Sequence, residues 1–554
     1  MNQNYSGSLL KSVRQLFKIL KLDKKDISSI YFFSILGGLI SLSLPLGIQT
    51  IISFVMAGSI SASIVVLIVM VVFGVFLNGL VQVRQIQVIE KIKQKIFTRY
   101  SLEFADRLPK LNVEKLDKYY LPELVNRFFD VPSLTKSIDK LLLDLPTAII
   151  QIFFGLLLLS LYHPIFIGFG LLLIFFVIII IQFTAQQGFE TSMKASDYKY
   201  SIASWLEEMA RVIKSFKYSK NTNLHITKTD ELVGKYLDAR TSHFKILLTQ
   251  FWSLITFKIV ITAAMLLVGA LLLVDQQINV GQFIAADIVI LAIINSVEKL
   301  ITTLDKIYDT LTSLQKLSKV LDSETELSGS LELQKIEKGV SIQFEQVSYK
   351  YSDQYVLQNV SVNILPNQLV CLTGISGSGK SSFLRLLTGA FRTFEGNILI
   401  DNAPLLNYNL KNLRSQTGIF LSQQDIFHGT LLENLTMSSN DVSIPQISKI
   451  TEKLKLRNFI QAHKNGYDTV LNVQGKNLSN NIKQEILLVR ALLGNHRLLL
   501  LENPFNYLDE NETEALFSFL RNDKNATIII TSDNPSIQQK CDAIIVLENG
   551  VVKN

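Results

Sequence analysis

With 554 residues and a net charge of +7, the chain is too long for one ordinary domain, and its two cysteines exclude a disulfide framework or a cysteine metal site. Its mean hydropathy of +0.30 is high for a soluble protein, and the apolar excess lies before about residue 320. The basic surplus is gathered beside those apolar runs, which is the mark of a membrane surface and not of a nucleic-acid partner.

In chain order, residues 1–25 are polar and basic, with no compact apolar core of the kind a cleavable signal peptide needs. Leu9, Leu10, Val13, Leu16, Phe17 and Leu20 recur at helical spacing opposite lysines, which predicts an amphipathic helix on the cytoplasmic leaflet. Residues 26–321 follow as a membrane domain. No charged side chain occurs from Ile27 to Val83 or from Leu145 to Phe189, and each run is long enough for two spans of roughly 20 residues. A third apolar region, Ile246 to Ile301, carries Lys258, Asp275, Asp287 and Glu298 and is divided by "VDQQINVGQ" at 274–282, giving six spans. The links at 56–62, 162–164 and 275–281 hold no Lys or Arg, whereas Lys11, Arg14, Lys18, Lys21, Lys24 and Lys25 precede the first span and Arg84, Lys91, Lys93, Lys95 and Arg99 follow the second. The asymmetry places both termini in the cytoplasm.

The inner connections, 84–135 and 190–245, have mixed charge with helical periodicity, so spans two to five are expected to continue beyond the bilayer. "LPELVNRFFD" (121–130) and "YSKNTNLHI" (218–226) are the candidate contact turns there, with plain solvated hairpins the alternative. Pro45 is expected to kink span one. Lys258 and Glu298 fall at similar depth on either side of the last outer link and are expected to approach each other, since a lone charge there is costly. Asp287 has no evident partner, and an aqueous cavity, snorkelling or structural pairing would each account for it.

Residues 322–339 form a charged, Ser-containing linker, and 340–554 show an α/β pattern. The expected strands include "SIQFEQVSY", "NQLVCLTG", "NATIIITS" and "DAIIVLENG", and Cys371 and Cys541 are expected as isolated buried small residues. "GISGSGKS" follows an apolar strand and opens a helix. Its Gly374, Ile375, Ser376, Gly377, Ser378, Gly379, Lys380 and Ser381, with the adjoining Ser382, are the pattern of a phosphate cradle. The glycines let N–H groups turn inward, the helix N-terminus adds partial positive charge, Lys380 reaches the outer phosphates, and Ser381 offers Mg²⁺ a hydroxyl.

At these residues the chain resembles the ATP-binding cassette exporters. The resemblance implies an all-α six-helix membrane domain followed by an α/β P-loop nucleotide-binding domain, with ATP and Mg²⁺ as ligands. It also implies that Tyr351, or the neighbouring Tyr349, stacks on adenine. "GTLLENL" (429–435) and "YDTVLNVQGKNLS" (467–479) resemble the stretches after the family's glutamine loop and before its signature, and "NYLD" keeps Asp509. Four positions depart from the family. The signature reads Leu478, Ser479, Asn480, Asn481, Ile482, the two asparagines being the non-glycine residues that best tolerate positive φ. Glu502 replaces the metal-positioning Asp, and Asn503 the catalytic Glu. Either Ser422 or Gln423 stands at the glutamine loop, Gln423 being the metal-side candidate, and Ser532 or Asp533 stands where the family keeps a His. An amide cannot accept a proton, and general-base assistance is worth about 10² to 10⁴ in rate. ATP should therefore be held more readily than cleaved.

The family's cassettes close face to face, so a second half-transporter is the implied partner. A homodimer would combine Asn503 with "LSNNI" at both sites, and a heterodimer would repair one of them. "PLGIQTII" and "VGQFIAADI" look like exporters of peptides and proteins in type I secretion, without a peptidase domain ahead of the membrane part. That likeness implies an inner-membrane location and a periplasmic adaptor. A catalytically silent ATP-binding regulatory subunit is the alternative, and a channel the third reading.

Overall fold

The computed structural model describes residues 6–58, 62–112, 114, 121–220, 222–351, 353–439, 442–454, 456–522 and 525–553. Contacts divide the chain into two units, Met1–Leu111 with Lys118–Glu324, and Asn112–Asp117 with Thr325–Asn554. Part of the first expected outer link, 59–61, lies outside the described residues.

Among the described residues the first unit holds six helices long and apolar enough to cross a membrane: Lys24–Met56, Ala62–Lys110, Leu121–Tyr162, Ile165–Arg211, Leu224–Val274 and Val280–Leu321. This is the number expected. The continuous helices Ala62–Arg107, Ile165–Arg211 and Leu224–Val274 contain 46, 47 and 51 residues. At 1.5 Å per residue each runs about 70 Å, more than twice a hydrocarbon core of ~30 Å. The first span breaks between Ser41 and Ser43, with Leu42 donating to Leu39 and Leu46 to Leu42. Pro45 has no N–H for the Ser41 carbonyl four residues earlier, which is the cause of the break.

Side chains rather than apolar area alone hold these helices in register. Gly155 lies so close to the last helix that a Cβ there would meet Ile293 Cγ1 at 2.9 Å, and one at Gly188 would stand 2.5 Å from the Tyr308 ring. Around that ring the Gln250 amide donates to Thr184 Oγ1 at 2.8 Å and to the Tyr308 hydroxyl at 3.0 Å, a buried polar knot among three helices. Lys258 Nζ and Glu298 Oε2 meet at 2.6 Å, as their spacing required. Asp287 is half-buried and has no ion-pair partner among the described residues.

The N-terminal helix Ser6–Leu22 packs on Val280–Leu321, burying Ser12 and Leu16 and pairing Lys11 with Asp322 at 3.3 Å. Leu10 and Phe17, from the apolar stripe, stay exposed. Leu121–Asn126 is a short helix grouped with the membrane helices, and it is Asn112–Asp117, just before it, that groups with the second unit. There the Glu114 carboxylate accepts the backbone N–H of Arg392 at 3.2 Å and the hydroxyl of Thr393. The signal was a single acidic residue in a charged stretch, which periodicity cannot single out. At 218–226 a turn separates Ile213–Tyr218 from Leu224–Val274, and residue 221 lies outside the described ones.

The second unit contains strands β1 Ile342–Tyr351, β2 Gln354–Ile364, β3 Leu369–Thr373, β4 Phe394–Ile400, β5 Ala403–Pro404, β6 Thr417–Phe420, β7 Gly429–Thr430, β8 Val470–Leu471, β9 Leu498–Leu501, β10 Thr527–Thr531, β11 Ala543–Glu548 and β12 Val551–Lys553. They form an antiparallel sheet ordered β2-β1-β4-β5, a six-stranded sheet ordered β12-β11-β3-β10-β9-β6 that is parallel except at β12, and the pair β7-β8. Cys371, Leu499 and Leu501 enter one hydrophobic cluster, and Val370, Leu372, Leu498 and Leu500 enter the other. Alternate residues thus serve opposite faces of a sheet covered on both sides, which is why its strands are continuous apolar runs.

The stretch 322–339, expected as a linker, belongs from Thr325 onward to this unit. Arg414 clasps Glu326 through two bonds of 2.7 and 2.9 Å. The buried Arg497 donates to the carbonyls of Lys338 at 2.7 Å and Gln334 at 3.2 Å and to Asp401 at 2.7 Å.

In the helical unit, Gly188→Leu should lower stability by about 1–3 kcal/mol through overpacking against a ring that cannot retreat. Adding Tyr308→Ala should restore part of that loss, read as the thermal midpoint of the purified chain.

Candidate functional site

The site is built where β3, enclosed by β10 and β11, reaches its C-terminal end. Val370, Cys371 and Leu372 are fully buried, so the strand cannot shift, and the chain must turn at once into the helix Lys380–Leu387. Glycine makes that turn possible. Gly374 has a φ of 145°, and a Cβ on it would lie 2.0 Å from the Leu547 carbonyl oxygen. Gly379, with a φ of 105°, approaches Val356 O to 2.8 Å in the same sense. Ile375, Ser376 and Gly377 form the exposed rim, while Ser378 and Ser382 are buried. The Ser378 hydroxyl has no hydrogen-bond partner among the described residues. Lys380 folds over the loop, its ammonium on the carbonyls of Gly374 and Ile375. A backbone concavity with an orphaned hydroxyl and a lysine at its mouth fits a polyphosphate.

Glu502, at the end of β9, joins the cradle directly. One carboxylate oxygen accepts from the Ser381 hydroxyl and the other from the Ser422 N–H at 2.8 Å. A hydroxyl beside a carboxylate is a donor set suited to Mg²⁺, with phosphate and water oxygens supplying the remainder. Of the two glutamine-loop candidates it is therefore the backbone of Ser422 that reaches this pair. Gln423 is exposed and makes no hydrogen bond among the described residues.

Asn503 takes a different course. Its φ is 50°, its N–H donates to Thr531 Oγ1 at 2.7 Å, and the Thr531 hydroxyl donates back to Asn503 Oδ1 at 3.0 Å. The Asn503 amide oxygen is thus engaged by β10. Of Ser532 and Asp533, Ser532 is buried, and Asp533 Oδ1 lies 3.3 Å from Lys380 Nζ. Sequence could not separate them, because a one-residue difference at a strand end decides which side chain faces the loop.

The signature residues are not brought into this cluster. Ser479 caps the helix Asn480–Leu492, its hydroxyl accepting from Ile482 N at 3.4 Å. Asn480 and Asn481 are ordinary first-turn residues and neither has positive φ, so backbone freedom is not what they supply. A link to the site from this helix runs from Gln484 Nε2 to Asn503 O at 3.3 Å. "GTLLENL" and "YDTVL" pair through Gly429↔Leu471 and Thr430↔Val470, and Asp509 caps Glu510–Asn522 by accepting from Glu512 N at 2.8 Å.

Tyr349 is buried and cannot stack on a ligand, whereas Tyr351 is half-buried and its hydroxyl accepts from Arg385 at 3.1 Å. The cysteines, expected as isolated and buried, share one hydrophobic cluster, Cys371 buried on β3 and Cys541 half-buried beside it. Hydrogen bonding to Cys371 and burial push the Cys541 thiol up.

Ser381→Ala or Glu502→Ala should abolish the Mg²⁺ dependence of nucleotide affinity, a loss of about 10-fold. Asn503→Ala, whose side chain faces Thr531, should stay within about 3-fold of wild type. Fluorescent-nucleotide titration in Mg²⁺ and in EDTA separates the two outcomes.

Comparison with known proteins agrees with this architecture. Residues 27–297 match the family model "ABC transporter transmembrane region" and residues 357–506 match "ABC transporter". A probable ABC transporter ATP-binding/permease protein of Haemophilus influenzae is 28% identical over 319 residues, 57% of this chain and 55% of that one. An ATP-dependent lipid A-core flippase of Pasteurella multocida is 25% identical over 68% of this chain and 66% of its own. The alpha-hemolysin translocation ATP-binding protein HlyB of Escherichia coli O157:H7 is 29% identical over 50% of this chain and 39% of its own. The chain thus spans about half the length of several curated relatives it matches. In fold it resembles a bacterial Atm1-family ABC exporter solved with ATP bound, with a TM-score of 0.85, 19% identity and coverage of 96% and 94% of the two chains. A membrane region and an ATP-binding domain of one family, in that order and each on its own fold, make this chain a member of the ABC transporter family.

Proposed function

We propose that the chain is an exporter half-subunit, in which ATP held at residues 374–382 drives alternating access of the six-helix domain with weak or partner-dependent hydrolysis. The observation that carries this reading is the contrast within one site. Ser381, Glu502 and Ser422 are joined by hydrogen bonds, while Asn503 is bonded to Thr531 and has no proton-accepting group.

In this reading the loop N–H groups and Lys380 bind the phosphates and Tyr351 supports the base. Ser381 and Glu502 would hold Mg²⁺, which supplies charge neutralisation at the phosphates when bound. Asn503 can orient a water but cannot take its proton, so cleavage lacks general-base assistance. Leu478–Ile482 stands apart from this cradle, which supports a site completed by a second subunit, whether another copy of this chain or a different half-transporter.

The relatives named above, a lipid A-core flippase and a haemolysin translocation protein, support an amphipathic, lipid-linked or polypeptide substrate. Lys and Arg beside the inner ends support an inner-membrane protein with both termini in the cytoplasm, and a periplasmic adaptor belongs to the polypeptide version of the proposal. The engagement of Asn503 by Thr531 also favours a second reading, a regulatory subunit that binds ATP without transporting.

Steady-state ATPase in proteoliposomes tests the proposal. Asn503→Glu should raise turnover of the chain alone by about 10² or more, and a co-purified second half-transporter should raise it without mutation. Fast hydrolysis by the unmodified chain alone, unchanged in Asn503→Glu, would contradict it.

A further inference from the structure

We propose that Asp533 determines which nucleotide the cradle prefers, by presenting its own negative charge to the face of Lys380 that a terminal phosphate must use. The inference rests on residues 374–382 being the phosphate cradle and goes beyond it.

An ammonium group has three donors. In this structure they face the carbonyls of Gly374 and of Ile375, the latter at 3.4 Å, and Asp533 Oδ1 at 3.3 Å. Backbone N–H groups of the loop cradle the α- and β-phosphates, so of the three it is the γ-phosphate that depends most on Lys380. A third phosphate, sought by Lys380, either displaces the carboxylate or lies beside it, like charge against like charge. Diphosphate and triphosphate therefore meet different sites.

The carboxylate is not placed there by chance of rotamer. Thr373 Oγ1 lies 3.4 Å from Asp533 Oδ1 and is itself held by Gln538 Nε2 at 2.9 Å. The same Gln538 amide grips the Ser532 carbonyl at 3.1 Å, and on the other side Asn534 accepts from Ser536 N at 3.0 Å at the start of the helix Pro535–Gln538. Backbone on both sides of Asp533 is thus fixed, and β3 and β10, which end at Thr373 and Thr531, set the distance to the cradle. Solvent reaches the Asp533 side chain, which screens the repulsion and limits its effect to about 10-fold in affinity.

The test is a titration of the full-length chain in lipid nanodiscs with Mg·ADP and Mg·ATP, for wild type, Asp533→Asn, Asp533→Ser and Lys380→Ala, together with ATP hydrolysis. Wild type should bind ATP no more than about 3-fold tighter than ADP, and either Asp533 variant should tighten ATP by about 10-fold while leaving ADP within about 3-fold. Equal shifts for both nucleotides, or none, would overturn the inference. So would a loss of hydrolysis of about 10² or more at unchanged affinities, because Asp533 would then be acting as the base. If Lys380→Ala binds both nucleotides as wild type does, the cradle reading itself fails, and the inference falls with it.

Discussion

One close approach governs the second unit. The Leu547 carbonyl stands where a side chain at residue 374 would begin, so the chain can leave β3 and enter the helix at Lys380 only through glycine. From that constraint the loop takes its inward-facing amides, Lys380 takes its position at the mouth, and Ser381 comes within hydrogen-bonding reach of Glu502. The sheet makes the constraint rigid. β3 has a parallel neighbour on each side and feeds alternate residues into both hydrophobic clusters, so no shift of the strand can relieve a clash at its end.

In the proposed function, binding and cleavage separate physically. Glu502 and Asn503 are consecutive in sequence, yet one faces the cradle and the other turns to Thr531. A carboxylate of either length can serve a cation through water, so replacing Asp by Glu preserves a donor set. In the proposed function, an asparagine at 503 is shorter than a glutamate and offers no group that can take a proton. Asp533, facing Lys380 from the end of β10, adds a negative charge on the triphosphate side of the same loop.

What sequence disclosed follows from how far each signal reaches. Apolar length gave the six helices, because nothing shorter spans a bilayer, and one missing N–H gave the break before Pro45. Equal spacing from an outer link brought Lys258 to Glu298. The cradle was legible because its glycines and lysine follow from local backbone geometry. Strand β2 was overlooked: "QYVLQNVSVNI" mixes polar and apolar residues without clean alternation, since it lies beside β1 alone in the antiparallel sheet and also meets β12 at its far side. Glu114 and the pairing of Cys371 with Cys541 were invisible because each joins residues more than a hundred positions apart. The helical conformation of Asn480 and Asn481 was also out of reach, since tolerance of positive φ does not say whether the position needs it.

A single-turnover experiment bears on the central claim most directly. Purified chain in excess is mixed with radiolabelled Mg·ATP, and the nucleotide retained on the protein is identified over time. The account predicts that label binds and is recovered as uncleaved ATP, converting with a rate constant below about 0.1 s⁻¹. Failure to retain label, or conversion to ADP faster than about 1 s⁻¹ by the chain alone, would contradict it.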